Sequence, residues 1–84
     1  MSEVIKVTGY RELSHVVKHN GNDKYYMVDS NDTPYRGYET MIFLWDAEED
    51  DVFSWGDLYV ELHGNYTEME KRHYYICENI EEFV

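Results

Sequence analysis

The stretch Tyr38-Glu-Thr-Met-Ile-Phe-Leu-Trp-Asp46 constrains the fold more than any other part of the chain. In a strand, alternate side chains face opposite ways, so Met41, Phe43 and Trp45 point to one side and Ile42 and Leu44 to the other. Both sides are apolar. Such a strand belongs at the centre of a sheet, or has its second face covered by another subunit. With 84 residues the chain is bounded to one domain, residues 1–84, with one modest core. Nine Tyr, three Phe and two Trp supply much of the apolar area. Each aromatic buries about 150–250 Å², so a few of them can anchor a small fold.

Around this strand the pattern predicts a short α+β domain. Val4, Ile5 and Val7 make a β-type start. Tyr10, Leu13, Val16 and Val17 fall at helical spacing, with Thr8 as a cap and Asn20-Gly21 as a stop, which predicts a helix over about 10–19. Lys24–Asp29 reads as a strand, and Ser30-Asn-Asp-Thr-Pro34 is dense turn chemistry. Asp57–His63 reads as a further strand, ended by Gly64-Asn65. Thr67-x-x-Glu70 has the form of a capping box and opens a helix to about Phe83. That helix has Met69, His73, Ile76, Cys77, Ile80 and Phe83 on one stripe. The expected architecture is a small antiparallel sheet of three to four strands with two helices, one of them C-terminal.

Charge is the second constraint. The net charge is −11, and it is segregated: residues 43–84 carry twelve carboxylates against two basic residues, while residues 1–42 carry six against five. Self-repulsion on this scale opposes a compact state, while the aromatic content argues against a disordered acidic tail. The charge therefore suits a basic surface on a partner. Glu78 and Glu82 are four residues apart, and Glu70 lies two turns earlier. Four helical residues rise about 6 Å. That is comparable with the separation of successive phosphates on one DNA strand, which exceeds the ~3.4 Å axial rise per nucleotide. Glu48, Glu49, Asp50 and Asp51 can extend the row from a loop, Glu81 adds to the helix end, and Tyr74 and Trp55 can serve as apolar anchors. The ordinary reading of the same acids is a solvated face that keeps a small protein soluble.

Several function classes find no support in the sequence. A chain this acidic repels nucleic acid, and Tyr side chains that stack bases need a basic groove beside them. A Gly-rich phosphate loop and a nucleophile elbow are both missing, and Cys77 lies on the predicted buried stripe, where a thiol is inert packing. The expectation is a protein that is not an enzyme and needs no cofactor. His15 and His19 have metal-ligand spacing, but Val16 stands where a zincin helix has Glu, and nothing in the spacing selects His63, His73 or Cys77 as a third ligand. Asp29-x-Asn31-x-Thr33 starts like a calcium loop, yet Pro34 replaces the turn Gly and Thr40 the final Glu. No metal site is assigned. The one cysteine, and the lack of an apolar run of signal or membrane length, suit a cytoplasmic protein with no membrane partner. The small size suggests added burial by homodimerisation.

The segments Tyr38–Phe43, Trp55–Glu61 and Thr67 through His73 to Ile80 resemble small proteins of phages and gut bacteria. The whole profile, short and acidic, is similar to phage host-takeover proteins of the DNA-mimic class. The resemblance implies an inhibitor, often dimeric, that occupies the DNA-binding surface of a basic DNA-binding protein of the bacterial host. An HU-type nucleoid protein is the favoured target, and the host cytoplasm the place of action. The alternative is a phage or bacterial protein-interaction or anti-defence module that binds through an apolar sheet face without DNA mimicry.

Overall fold

A computed structural model describes residues 2–84. The elements in order are β1 (Glu3–Val7), β2 (Leu13–Lys18), β3 (Tyr25–Thr33), β4 (Gly37–Asp46), β5 (Asp51–Val52), β6 (Tyr59–His63), α1 (Tyr66–Glu78) and a 3-10 turn (Ile80–Glu82). The fold is α+β. Among the described residues it has six strands and one α-helix, where the sequence led us to expect three to four strands and two helices.

The antiparallel sheet runs β1-β2-β3-β4, and β5 and β6 share the far edge of β4. β6 pairs with Tyr38–Ile42 and β5 with Trp45 and Asp46. β4 is therefore central, as its two apolar faces require. On one face Val17, Tyr26, Val28 and Ile42 pack under Ile76, Cys77 and Ile80 of the C-terminal segment. On the other, Val16, Met27, Phe43 and Trp45 form a second cluster. The sheet curls around this second cluster, because Lys6 of β1 meets Asp50 just before β5, and Tyr10 after β1 meets Asp51. Trp55 lies between Tyr10 and Phe43, with ring centroids at 5.5 and 5.3 Å. The chain itself thus covers part of β4's second face.

The expected helix over 10–19 is instead strand β2. A helix would have buried one stripe, whereas the strand buries Leu13 and Val17 on the α1 side and Ser14 and Val16 on the other. The β-branched Val16-Val17 pair suits that arrangement, and pairing with both β1 and β3 fixes it. β3 continues through Ser30–Thr33, which were expected as turn, so Asp29 and Asn31 lie in a ladder rather than in a calcium loop. The connection to β4 is confined to residues 34–36, followed by Gly37 at φ 71°, a conformation that favours glycine.

The C-terminal helix starts earlier and stops sooner than expected. Asn65, not Thr67, is the N-cap, and its side chain accepts the Glu68 N–H at 2.9 Å. Glu68 in turn accepts the Gly64 N–H at 2.9 Å. Asn outranks Thr as a cap, which explains the shift. No basic residue stands in the last turn, and the helix breaks at Asn79 before continuing as the 3-10 turn. Cationic side chains would favour that end, and here the start of the chain caps it instead. The Ser2 N–H donates to the Glu78 carbonyl at 3.0 Å. The Ser2 hydroxyl donates to the Cys77 carbonyl at 2.6 Å and accepts the Ile80 N–H at 2.9 Å.

Candidate functional site

The acidic residues fall into two groups separated by the sheet. Glu70, Tyr74 and Glu78 are exposed on the outward side of α1, spaced four residues apart. Glu70 and Glu78 have no ion pair among the described residues. The break at Asn79 sends Glu81 and Glu82 elsewhere. Glu81 accepts the Asn20 N–H at 3.3 Å, and Glu82 accepts the Tyr75 hydroxyl at 2.7 Å.

Glu48, Glu49 and Asp50 occupy the turn between β4 and β5, and Asp51 opens β5, on the concave side of the sheet away from α1. The Asp46 carboxylate shapes this turn by accepting the N–H groups of Glu48 and Glu49 at 2.9 and 3.1 Å. Asp50 adopts φ 57°, which Asp tolerates, and pairs with Lys6. Asp51 accepts the Tyr10 hydroxyl, which together with the Val52 N–H holds its carboxyl below the usual range. The turn therefore leaves Glu48 and Glu49 without a side-chain partner among the described residues. Trp55 stands beside this group, 60 % exposed. A single row from loop to helix does not form, because the sheet lies between them.

An apolar surface accompanies the second group. Phe53, Trp55, Leu58 and Leu62 are all more than half exposed. Register places Val60 opposite Met41 and Leu62 opposite Glu39, so Val60 and Leu62 share the concave face.

Sequence reasoning missed a buried polar chain between α1 and the sheet. His15 Nδ1 lies 2.8 Å from His73 Nε2, and His73 Nδ1 lies 2.7 Å from the Ser30 hydroxyl. Ser30 meets Thr40 at 2.6 Å, and Thr40 meets His63 Nε2 at 2.9 Å. His63 Nδ1 faces the Glu61 carboxylate at 3.6 Å. Arg72 grips Glu61 through two N–H bonds of 2.6 and 2.8 Å. Ser30, Thr40 and His73 are buried.

Burial pushes the His73 pKa down to about 3, with the neighbouring His15 adding to the effect. Burial also lowers His15 and His63. All three rings are therefore neutral at pH 7, each with one N–H and one lone pair. Glu61 stays ionised, held low chiefly by Arg72. The arrangement that satisfies every contact aims the His63 Nδ1–H at that carboxylate. Then Thr40 donates to His63, Ser30 to Thr40, His73 Nδ1 to Ser30, and His15 Nδ1 to His73 Nε2. The reverse order would aim a lone pair at the carboxylate.

This chain overturns one sequence expectation about histidine. His15 and His19, linked above by helical spacing, do not converge. His19 Nδ1 accepts the Gly21 and Asn22 N–H groups, and its Nε2 meets the Val84 carbonyl. His15 turns toward α1, where His73 and Cys77 stand four residues apart. One ligand atom from each of His15, His73 and Cys77 lies within 4.8 Å of the others. The four-residue His73–Cys77 spacing is the one sequence signal that could have pointed to this group. As expected, Cys77 is fully buried, and its thiol is pushed up to about 12.

No helix among the described residues is long and apolar enough to cross a membrane. Comparisons with protein-family models, with curated proteins and with solved structures found no match, so any functional reading must come from these surfaces and this buried chain.

Proposed function

We propose that this protein is an acidic interaction module that occupies the DNA-binding surface of a basic bacterial DNA-binding protein, with an HU-type nucleoid protein as the first target to test. The observation that carries the reading is the Glu70–Tyr74–Glu78 ridge. Its two carboxylates, Glu70 and Glu78, are exposed, two turns or about 12 Å apart along the axis, and free of cation partners among the described residues, and α1 is held rigidly by its buried stripe. Two carboxylates about 12 Å apart with an aromatic between them approximate every second phosphate of a backbone rather than successive ones, and Tyr is a frequent anchor at interfaces. Glu48 and Glu49 offer a second acidic contact. The reading implies a phage-encoded protein acting in the host cytoplasm, as a homodimer whose mass in solution is twice that of the chain.

The test is competition. Purified HU-type protein on labelled DNA is titrated with this protein at two salt concentrations. Displacement is expected at low salt and should weaken steeply as salt rises, because exposed charges are screened beyond about 10 Å at 0.1 M. Glu70→Lys together with Glu78→Lys should abolish it. Displacement insensitive to both salt and charge reversal would overturn the mimic reading.

The second reading, an interaction module that binds through an apolar face, is favoured by exposed Phe53, Trp55, Leu58 and Leu62. Leu58→Ser together with Leu62→Ser separates the two. Loss of partner binding in this variant alone supports the apolar reading.

A further inference from the structure

We propose that His15, His73 and Cys77 form a binding site for a thiophilic metal ion of the zinc class. Two imidazoles and a thiolate are the donor set that a borderline-soft cation selects over calcium or magnesium. The three residues come from two elements: β2 supplies His15, and α1 supplies His73 and Cys77 from successive turns. One donor atom of each already lies within 4.8 Å of the other two.

The distances require only a small adjustment. His15 Nδ1 and His73 Nε2 are 2.8 Å apart. Two nitrogens bound tetrahedrally at about 2.0–2.1 Å stand about 3.3 Å apart, so the rings need to separate by about half an ångström. His15 is half-buried at the edge of the helix–sheet interface, where such a shift meets little resistance.

The surrounding hydrogen bonds set up the ligands. His73 donates its Nδ1–H to Ser30 at 2.7 Å, which fixes the tautomer with the Nε2 lone pair directed at His15. Metal-binding histidines characteristically hold their other ring nitrogen in this way. Ser30 is itself held by Thr40 and His63, so the orientation is anchored as far as Glu61.

The proton balance is simple. Zn2+ takes the His73 Nε2 lone pair. The His15 proton moves from Nδ1 to Nε2, freeing Nδ1 as a ligand. Cys77 loses its thiol proton to solvent, so one proton is released per ion bound. A water completes four-coordination. The site lies beneath α1 rather than on the acidic ridge, so the inference stands apart from the proposed partner.

The test uses the full chain, stripped with a chelator and titrated with Zn2+ alone, and with Co2+ as an optical probe. One Zn2+ retained per chain after gel filtration, and a thiolate-to-cobalt charge-transfer band, are expected. Ser30→Ala should keep the stoichiometry and weaken affinity about ten- to hundredfold. His15→Gln, at a half-buried position, should fold as judged by circular dichroism and lose more affinity than that. Cys77→Ser should lose the charge-transfer band. Absence of retained zinc would overturn the site. So would zinc bound equally well by His15→Gln, the behaviour expected of adventitious binding to surface carboxylates.

Discussion

Replacing Thr40 by Val and by Ser separates the buried hydrogen-bond chain from packing. Thr40 is fully buried on β4, accepts from Ser30 at 2.6 Å and donates to His63 Nε2 at 2.9 Å. Val is nearly isosteric and is the better strand residue. It leaves the Ser30 hydroxyl proton and the His63 lone pair without partners. Each orphaned buried group costs about 1–3 kcal/mol, and the added buried methyl offsets about 0.8 kcal/mol, so Thr40→Val should destabilise by about 3 kcal/mol. Thr40→Ser keeps both bonds and removes one methyl, at a cost of about 1 kcal/mol. A domain of this length has a total stability of roughly 4–13 kcal/mol, so the Val variant loses a large share. The difference of about 2 kcal/mol corresponds to about 10 °C in Tm for a small domain. Urea denaturation followed by far-UV circular dichroism reads both variants, with an unchanged m-value confirming comparable unfolding. A Val variant as stable as the Ser variant, or more so, would show that strand preference and burial outweigh the chain, and would refute its contribution to stability.

Three further expectations concern the fold. Ile76→Ala removes a fully buried side chain from the helix–sheet core and should cost about 2–5 kcal/mol, whereas Leu62→Ala, at an exposed position, should change the urea midpoint little. Asn65→Ala removes the N-cap and should cost about 1 kcal/mol by the same measurement, with Asn65→Asp retaining stability. Asp29 is buried, which raises its carboxyl above the usual range despite the Ser14 hydrogen bond and nearby Arg11. The folded state therefore binds this proton more tightly than the unfolded chain does. Its protonation favours folding at acid pH, and that contribution is lost as pH rises through the folded pKa. Asp29→Asn should accordingly be more stable than the native protein at pH 7, by a margin that closes as pH falls toward 4. A margin independent of pH would contradict the burial argument.

The central strand, the C-terminal helix and the segregated charge were legible from residue order alone. Two-sided apolarity forced Tyr38–Asp46 into the middle of a sheet, and the stripe from Met69 to Ile80 fixed which side of α1 is buried. Both are local periodicities, which a sequence states directly. Residues 10–19 show where that reasoning stops. Their apolar positions fit a helix as well as they fit a strand, and only pairing with β1 and β3 on both edges decided between them. Nor could local pattern show that the sheet curls until Tyr10 reaches Asp51, or that it stands between the two acidic groups. The buried chain depends on tertiary structure most completely. Its members, His15, Ser30, Thr40, His63 and His73, are scattered over almost sixty residues, and apart from His73, whose place on the buried stripe was legible, none by itself signals its partner. The register of four strands and the placement of one helix bring them within hydrogen-bond distance. Hydrogen bonds and metal coordination act over a few ångströms, so their partners are set by the packed fold, whereas charge and hydrophobic period belong to the chain before it folds.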